Sequence, residues 1–532
     1  MEAEQRGSSG RQSFVPGARW LSALSVGAPA ALAMILSIWL STMLPLWRDE
    51  FATRQYAALS LGDLMAATSH VDAVIAPYYA LVHLFSSLTG LDAGIRIWSL
   101  LAFGGAVAAL GTLALRWWGR AAAVTTGTML AVNGAVLSQA ANARPYALAL
   151  CAVASAALLL DHALRERPRE GTRRGQGLGA WAGYAVTAVF AVLMQPFAAT
   201  ALAATMVLVR TRRTLLAWIA ASAPWAAMTL LLLGNARSQG GQIEWVAPLD
   251  VDTVSWAVAK AAGMTGKGFA APATMIAVTA LMALLAIVVA TPRRPAVFAA
   301  ALVATPVALL VLLSVLVQPT VSWRYLLWIS LGVALLAGAA VAAGARALRG
   351  PGGRRPSVPA FLVARLLAGA LAIGLLGATG WHSVTRLTTP PSPRDDFPAA
   401  VSRIEADARV GDLLIVQQRY GQGGVALGFA LSAGDDAFVR EIESGSTRGP
   451  RAPLALRVIT SVAPLRTAPW SPENAELAAD ANRSLWLVAV SSPRREDTSS
   501  LPAPVATCFG EAGESTRIDI PATRLYRIPC GR

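Results

Sequence analysis

Apolar runs of roughly bilayer-spanning length recur along the first part of the chain, divided by short polar gaps. The first covers 20–46. Others follow near 97–116, 120–138, 146–164, 180–194, 196–210, 214–233, 272–290, 296–317, 324–345 and 359–380. A bilayer core takes roughly 20 apolar helical residues to cross. The pattern therefore predicts an α-helical polytopic membrane protein with about eleven transmembrane helices. The first run is longer than the roughly 7–15-residue apolar core of a cleavable leader, so it reads as a retained helix. The division at Gln195-Pro196 decides the parity of everything after it. One long kinked helix there would reverse the side on which the chain ends.

After Trp381 the pattern changes character. Pro390, Pro391 and Pro393 mark a linker. Asp396 can cap a helix reaching Arg409, with Gly411 as its stop. Short runs of β type follow at 413–416, 456–460, 485–490 and 524–528. The expected organisation is a cytosolic tail (1–19), a transmembrane domain (20–383) with an outer loop at 47–95, a linker (384–394) and a small C-terminal α/β extracytoplasmic domain (395–532). The last region has neither a phosphate loop nor metal-ligand spacing.

Composition agrees with this. Hydrophobic residues make up 55% of the chain and charged ones 14%, against roughly 25% charged in soluble domains. The net charge of +15 is carried almost wholly by Arg, with Lys260 and Lys267 the only lysines. The arginines cluster in alternate gaps: Arg116 and Arg120, Arg165 to Arg174, Arg210 to Arg213, Arg293 and Arg294, and Arg346 to Arg355. That asymmetry marks the cytosolic face. It argues for topology rather than for a nucleic-acid partner. It puts the N-terminus in the cytosol and the C-terminus outside; Arg-for-Lys usage with abundant Ala and Gly suggests a GC-rich bacterial genome, and the expected location is the bacterial plasma membrane. Cys508 and Cys530 would be free to pair outside the cytosol or to remain thiols.

Candidate chemistry gathers at the opposite face. Asp49 and Glu50 follow the first apolar run directly. A carboxylate part-way out of water is a stronger base toward a hydroxyl; the plainer reading is a helix cap. His70 and Asp72 could share a metal or a hydrogen bond on a loop, and would point apart on a helix. Tyr78, Tyr79 and His83 could contact substrate or form an interfacial aromatic belt. Arg144, followed by Tyr146, and Arg324 break the charge asymmetry. Arginines there suit a phosphate or snorkel to headgroups.

Asp49-Glu50, His70-Val71-Asp72, Tyr78-Tyr79, His83, Arg96 and Ala143-Arg144-Pro145-Tyr146-Ala147 occur in that order. In this the chain resembles the GT-C superfamily of polyprenyl-phosphate-sugar-dependent glycosyltransferases. It is most similar to the branch of protein O-mannosyltransferases and lipid A aminoarabinose transferases, in an actinobacterial form. The resemblance is strongest over 20–165, and Arg324-Tyr325 carries it further. It implies a GT-C-like fold and an inverting transfer of a sugar, mannose or a related hexose, from a polyprenyl-phosphate-linked donor to a lipid, glycan or protein acceptor. It implies Asp49 as catalytic base with Glu50 beside it, and Arg144 and Arg324 as donor-phosphate ligands. His70, Asp72, Tyr78, Tyr79, His83 and Tyr146 would line the substrate site. The family's His-Pro-Pro before the Tyr pair is replaced by His70-Val71-Asp72-Ala73, with Pro77 before Tyr78, which leaves the acceptor open. The resemblance fixes no cofactor, and leaves a divalent metal open. The rival expectation is a transporter or lipid flippase, which would need charges buried mid-span.

Overall fold

The computed structural model describes residues 17–69, 72–91, 93–166, 178–236, 246–264, 272–349, 359–388, 396–417, 424–444, 454–469, 483–489, 516–519 and 524–530. His70, Val71, most of the Pro-rich linker, Cys508 and the Cys530 side chain lie outside the described residues.

Every apolar run is helical, because a helix satisfies its own backbone groups where no water can. α1 (Gly17–Met43) ends before Pro45, which cannot continue a helix. Three short helices follow: α2 (Arg48–Ala57), α3 (Leu61–Thr68) and α4 (Ala76–Thr89). The bundle then continues with α5 (Ile97–Trp118), α6 (Arg120–Ala131), α7 (Gly134–Ala140), α8 (Tyr146–Arg165), α9 (Leu178–Met194), α10 (Ala198–Ala204) and α11 (Arg212–Ala236). After α12 (Val251–Ala261) come α13 (Pro272–Val289), α14 (Arg294–Leu316), α15 (Ile329–Arg349) and α16 (Pro359–Thr388).

Among the described residues, six helices are long and apolar enough to cross a membrane: those at Arg19–Met43, Gly94–Trp118, Tyr146–Arg165, Arg212–Asn235, Arg294–Leu316 and Ile329–Arg346. α6 and α7, bent by 64°, make a seventh if taken as one span. Asn133 sits at that bend and accepts from the N–H groups of Ala135 and Val136. Leu178–Met194, Ala198–Leu208, Ile276–Val289 and Arg365–Trp381 are shorter apolar helices. Helices thus stand at each expected place, while length alone establishes six or seven crossings rather than about eleven.

The chain reverses at Gln195-Pro196. The Tyr184 hydroxyl lies 3.2 Å from Thr205 Oγ1. In one continuous helix those residues would be about 30 Å apart. The two ends of the bundle are therefore distinct. At one end Arg120 Nε donates to Ser22 Oγ (3.3 Å) and Trp118 Nε1 to Pro292 O (3.4 Å). Buried Asp161 accepts there from Trp117 Nε1 and Arg165 Nε, each at 2.8 Å. At the other end Phe197 packs on Tyr325, ring centroids 4.5 Å apart, near the residues singled out above.

The C-terminal part is a mixed α/β layer: α17 (Phe397–Asp407), β1 (Leu413–Gln417), α18 (Gly424–Ala433), α19 (Asp436–Ser444), β2 (Leu454–Val462), β3 (Leu465–Pro469), β4 (Arg483–Ala489), β5 (Thr516–Asp519) and β6 (Arg524–Cys530). Asp396 caps α17 by accepting from Ala399 N (3.0 Å), and Gly411 holds φ 90° beyond its end. The sheet order is β3-β2-β1-β4-β6-β5, with β1 and β4 parallel and the other neighbours antiparallel. Among the described residues, its buried side-chain polar groups find partners. Asp412 accepts from Trp486 Nε1 (3.0 Å) and Ser484 N (3.1 Å), and Arg457 binds Glu441 at 2.6 Å. The apolar core of this part takes in Phe51 of α2, so the layer stands at the end of the bundle that carries α2.

Candidate active site

α2 begins where Trp47 is extended (φ −119°, ψ 169°), and Asp49 and Glu50 occupy its first turn. Acidic groups are favoured there by the exposed N–H groups and the helix dipole. Adjacent positions on a helix point about 100° apart, so the two carboxylates enter different surroundings.

Glu50 is fully buried and held in the protein interior. Arg96 Nε donates to Oε1 at 2.7 Å and Arg96 Nη2 to Oε2 at 2.6 Å. Oε1 also accepts from Ala143 N at 2.8 Å. Arg96 further donates to the carbonyls of Ser41 (2.6 Å), Leu44 (2.8 Å) and Pro45 (3.0 Å). It thereby satisfies acceptors that the end of α1 leaves open. One guanidinium joins α1, α2 and α5, and its bidentate partner reaches the chain just before Arg144.

Asp49 takes the other direction and is partly open, its side chain 22% exposed. Its Oδ2 lies 3.9 Å from Arg144 Nη2 and 3.8 Å from Arg324 Nη1. Both gaps exceed hydrogen-bond length, so one carboxylate oxygen stands between two cations without saturating either. Arg144 Nη1 donates weakly to the Asp49 carbonyl at 3.4 Å. Arg144 Nε is buried with no hydrogen-bond partner among the described residues. Burial works against the Arg144 charge, but the Asp49 carboxylate, helped by Tyr79, Tyr146 and Asp72, holds its pKa above the usual range. Arg324 stacks near Trp47 (5.4 Å from guanidinium carbon to ring centroid) and Trp323 (5.7 Å), which helps to position the cation.

The remaining described candidates lie at the start of α4, on α4 and at the start of α8. Asp72 is buried and adopts φ 58°, a left-handed conformation that Asp tolerates better than most side chains. Its carbonyl accepts from Ile75 N (2.8 Å) and Ala76 N (3.0 Å), starting α4. Its carboxylate accepts from the Tyr79 hydroxyl at 2.8 Å. Burial first, then the Asp72 carboxylate, pushes the Tyr79 hydroxyl well above its ordinary pKa, so it stays the donor. Tyr79 stacks on Tyr56 at 4.8 Å. Tyr78 is also fully buried, and burial raises its pKa. His83 Nδ1 lies 2.9 Å from Ala57 O and ties α4 to the end of α2. Tyr146 opens α8 and is 5% exposed. Asp49, Arg144 and Arg324 thus come together. Tyr78, Tyr79 and Tyr146 are buried behind them, so no open aromatic belt is formed by these residues.

Several supporting residues carry no chemical signature in sequence. Thr53 Oγ1 donates to Asp49 O (3.0 Å) and to Ala143 O (3.1 Å). Ser99 Oγ donates to Arg144 O (3.2 Å). Lys260 Nζ lies 4.5 Å from the Trp256 ring centroid and 4.4 Å from that of Trp323, linking α12 to the Arg324 segment. Among the described residues, no three His, Cys, Asp or Glu side chains gather as a metal site.

The chain matches no family model and no curated protein. Solved structures similar to it include an archaeal oligosaccharyltransferase, AglB from Archaeoglobus fulgidus, in complex with an inhibitory peptide and a dolichol-phosphate. That match has 13% identity and a TM-score of 0.44, covering 71% of this chain and 58% of AglB. ArnT from Cupriavidus metallidurans in the apo state matches with 13% identity and a TM-score of 0.48, over 96% of this chain and 98% of ArnT. ArnT bound to undecaprenyl phosphate matches with 11% identity and a TM-score of 0.47, over 94% and 97%. At these scores the likeness assigns no activity.

Proposed function

We propose that this membrane protein is a GT-C-type glycosyltransferase. It would move a sugar, mannose or a related hexose, from a polyprenyl-phosphate-linked donor to a lipid, glycan or protein acceptor on the extracytoplasmic face of a bacterial plasma membrane. The observation that carries the reading is the Asp49 carboxylate standing 3.9 Å from Arg144 and 3.8 Å from Arg324 at one end of an apolar bundle. A base and two cations at that place suit a lipid phosphate lying at the membrane surface.

In the proposed reaction the donor phosphate binds Arg144 and Arg324. Asp49 takes the proton of the acceptor hydroxyl, whose oxygen attacks the anomeric carbon opposite the phosphate. The glycosidic bond forms, the carbon–oxygen bond to phosphate breaks, and configuration inverts. The leaving phosphate carries its own negative charge, so no general acid is needed, and the two guanidinium groups stabilise it. Glu50, occupied by Arg96 and Ala143, would position Asp49 rather than touch the acceptor. Asp72, Tyr78, Tyr79, His83 and Tyr146 would support the substrate site, and His70 is proposed from the sequence as a further substrate-binding residue.

The test incubates membranes holding the protein with radiolabelled polyprenyl-phosphate mannose and follows label into acceptors. Transfer lost with Asp49→Asn and weakened with Arg144→Ala supports the proposal. Label that moves equally well with both variants would overturn the assigned site.

A further inference from the structure

α2 is held from two sides. Toward the bundle, Glu50 accepts from Ala143 N and Thr53 Oγ1 donates to Ala143 O. Away from it, Phe51 lies in the apolar core of the C-terminal layer with Phe397, Val425 and Phe429. The Phe51 and Phe397 rings meet edge-on, centroids 5.9 Å apart at 64°. α18 crosses over them at Gly428. A Cβ built at Gly428 would stand 2.5 Å from Phe397 Cε2 and 2.7 Å from Phe51 Cδ2, well inside carbon contact distance. Glycine is a poor interior helix residue; here it permits an approach that no other residue allows.

We infer that Gly428 and Phe51 are positioning residues for Asp49: the C-terminal layer, seated on α2 through this contact, sets the reach of the Asp49 carboxylate to Arg144 and Arg324. The inference rests on the proposed role of Asp49. Phe51 is two residues from Asp49 on one short helix, so any displacement of its ring passes along the backbone. The polar contacts on the other face give little slack, since each hydrogen bond weakens as it lengthens. Displacements of about 1 Å at a reacting group can cost about 10²-fold in rate.

Full-length protein in lipid nanodiscs carrying Gly428→Ala tests this in two ways. Amide hydrogen exchange over 47–57 needs no donor. It is expected to rise about tenfold or more, while exchange over 97–118 stays as in wild type. With polyprenyl-phosphate mannose as donor, turnover is expected to fall about tenfold and donor KM to stay within about twofold. Adding Phe397→Leu, which frees space on the α17 side, should bring both readouts back toward wild type. If Gly428→Ala does not accumulate, Phe51→Ala removes the ring without adding bulk and should raise exchange over 47–57 alike. Unchanged exchange there in a folded variant overturns the inference, as does a rise in donor KM with turnover intact. Absence of transfer by the wild type would count only against the functional reading, and the exchange measurement would still decide this one.

Discussion

Asp49 and Glu50 differ by one methylene and stand side by side, yet their surroundings separate them completely. Glu50 is locked into a bidentate pair with Arg96 inside the protein, whereas Asp49 is open and shared between two arginines. Opposite outcomes follow from mutating them. Asp49→Asn keeps size and removes the base, so transfer should fall about 10²–10⁴-fold, with thermal unfolding of the purified protein lowered less than by the change at Glu50, because partly exposed Asp49 stands 3.9 Å from Arg144 and is not locked in a direct buried pair. Glu50→Gln leaves Arg96 buried without its counter-charge and should destabilise by about 3–5 kcal/mol. The melting temperature would show it, and equal melting of the two variants would contradict the assigned roles. Arg144→Lys keeps charge but loses the planar fork, and Arg144→Ala loses both. Donor saturation should weaken in the order wild type, lysine, alanine. Removing the Tyr79 hydroxyl with Tyr79→Phe takes a donor from buried Asp72, at a cost of about 1–3 kcal/mol, again read from the melting transition.

Among elements, the segment between α1 and α5 departs most from a simple loop, since it folds as α2, α3 and α4 and carries the candidate base. Its helices are held by side chains rather than by lipid: His83 to Ala57 O, Tyr79 to Asp72, and Thr53 to Ala143 O. The bundle elements instead rely on close packing of small residues, as membrane helices do. Gly338 of α15 shows how close. A Cβ there would stand 2.8 Å from the Ala122 carbonyl oxygen on α6. Gly338→Val should therefore separate α15 from α6 at a cost of about 1–3 kcal/mol. Retained melting behaviour would mean that the interface yields more freely than this contact indicates.

At the scale of the whole molecule, the reversal at Gln195-Pro196 governs which side each later segment occupies. Tyr184 and Thr205 side by side require that reversal. Phe51 in the core of the C-terminal layer requires that layer to share an end with Asp49. With the Arg-rich gaps at the opposite end, the C-terminus is expected outside the cytosol. A reporter active only outside the cytosol, fused after Arg532, should be active, whereas activity of a cytosol-only reporter would reverse the assigned faces.

Hydrophobic runs, Arg asymmetry and the order of Asp49, Arg96, Arg144 and Arg324 were readable in the sequence by itself. Burial in lipid leaves the backbone only a helix to form, and charge marks the ends of each run. The place of each helix within an apolar run, of α17 and of strands β1, β2, β4 and β6 followed from the sequence pattern, whereas α2, α3, α4, α12, α18 and α19 did not. Strands β3 and β5 did not, because at five and four residues each offers too few apolar positions to show a strand pattern. Only tertiary structure decided which of two adjacent carboxylates would be buried, since that depends on Arg96, 46 residues away. Only tertiary structure brought Arg324 beside Asp49 and laid Gly428 against Phe51. Such contacts join positions far apart in the chain, and their selection rests on shape and charge matching across the packed bundle, which no local pattern contains.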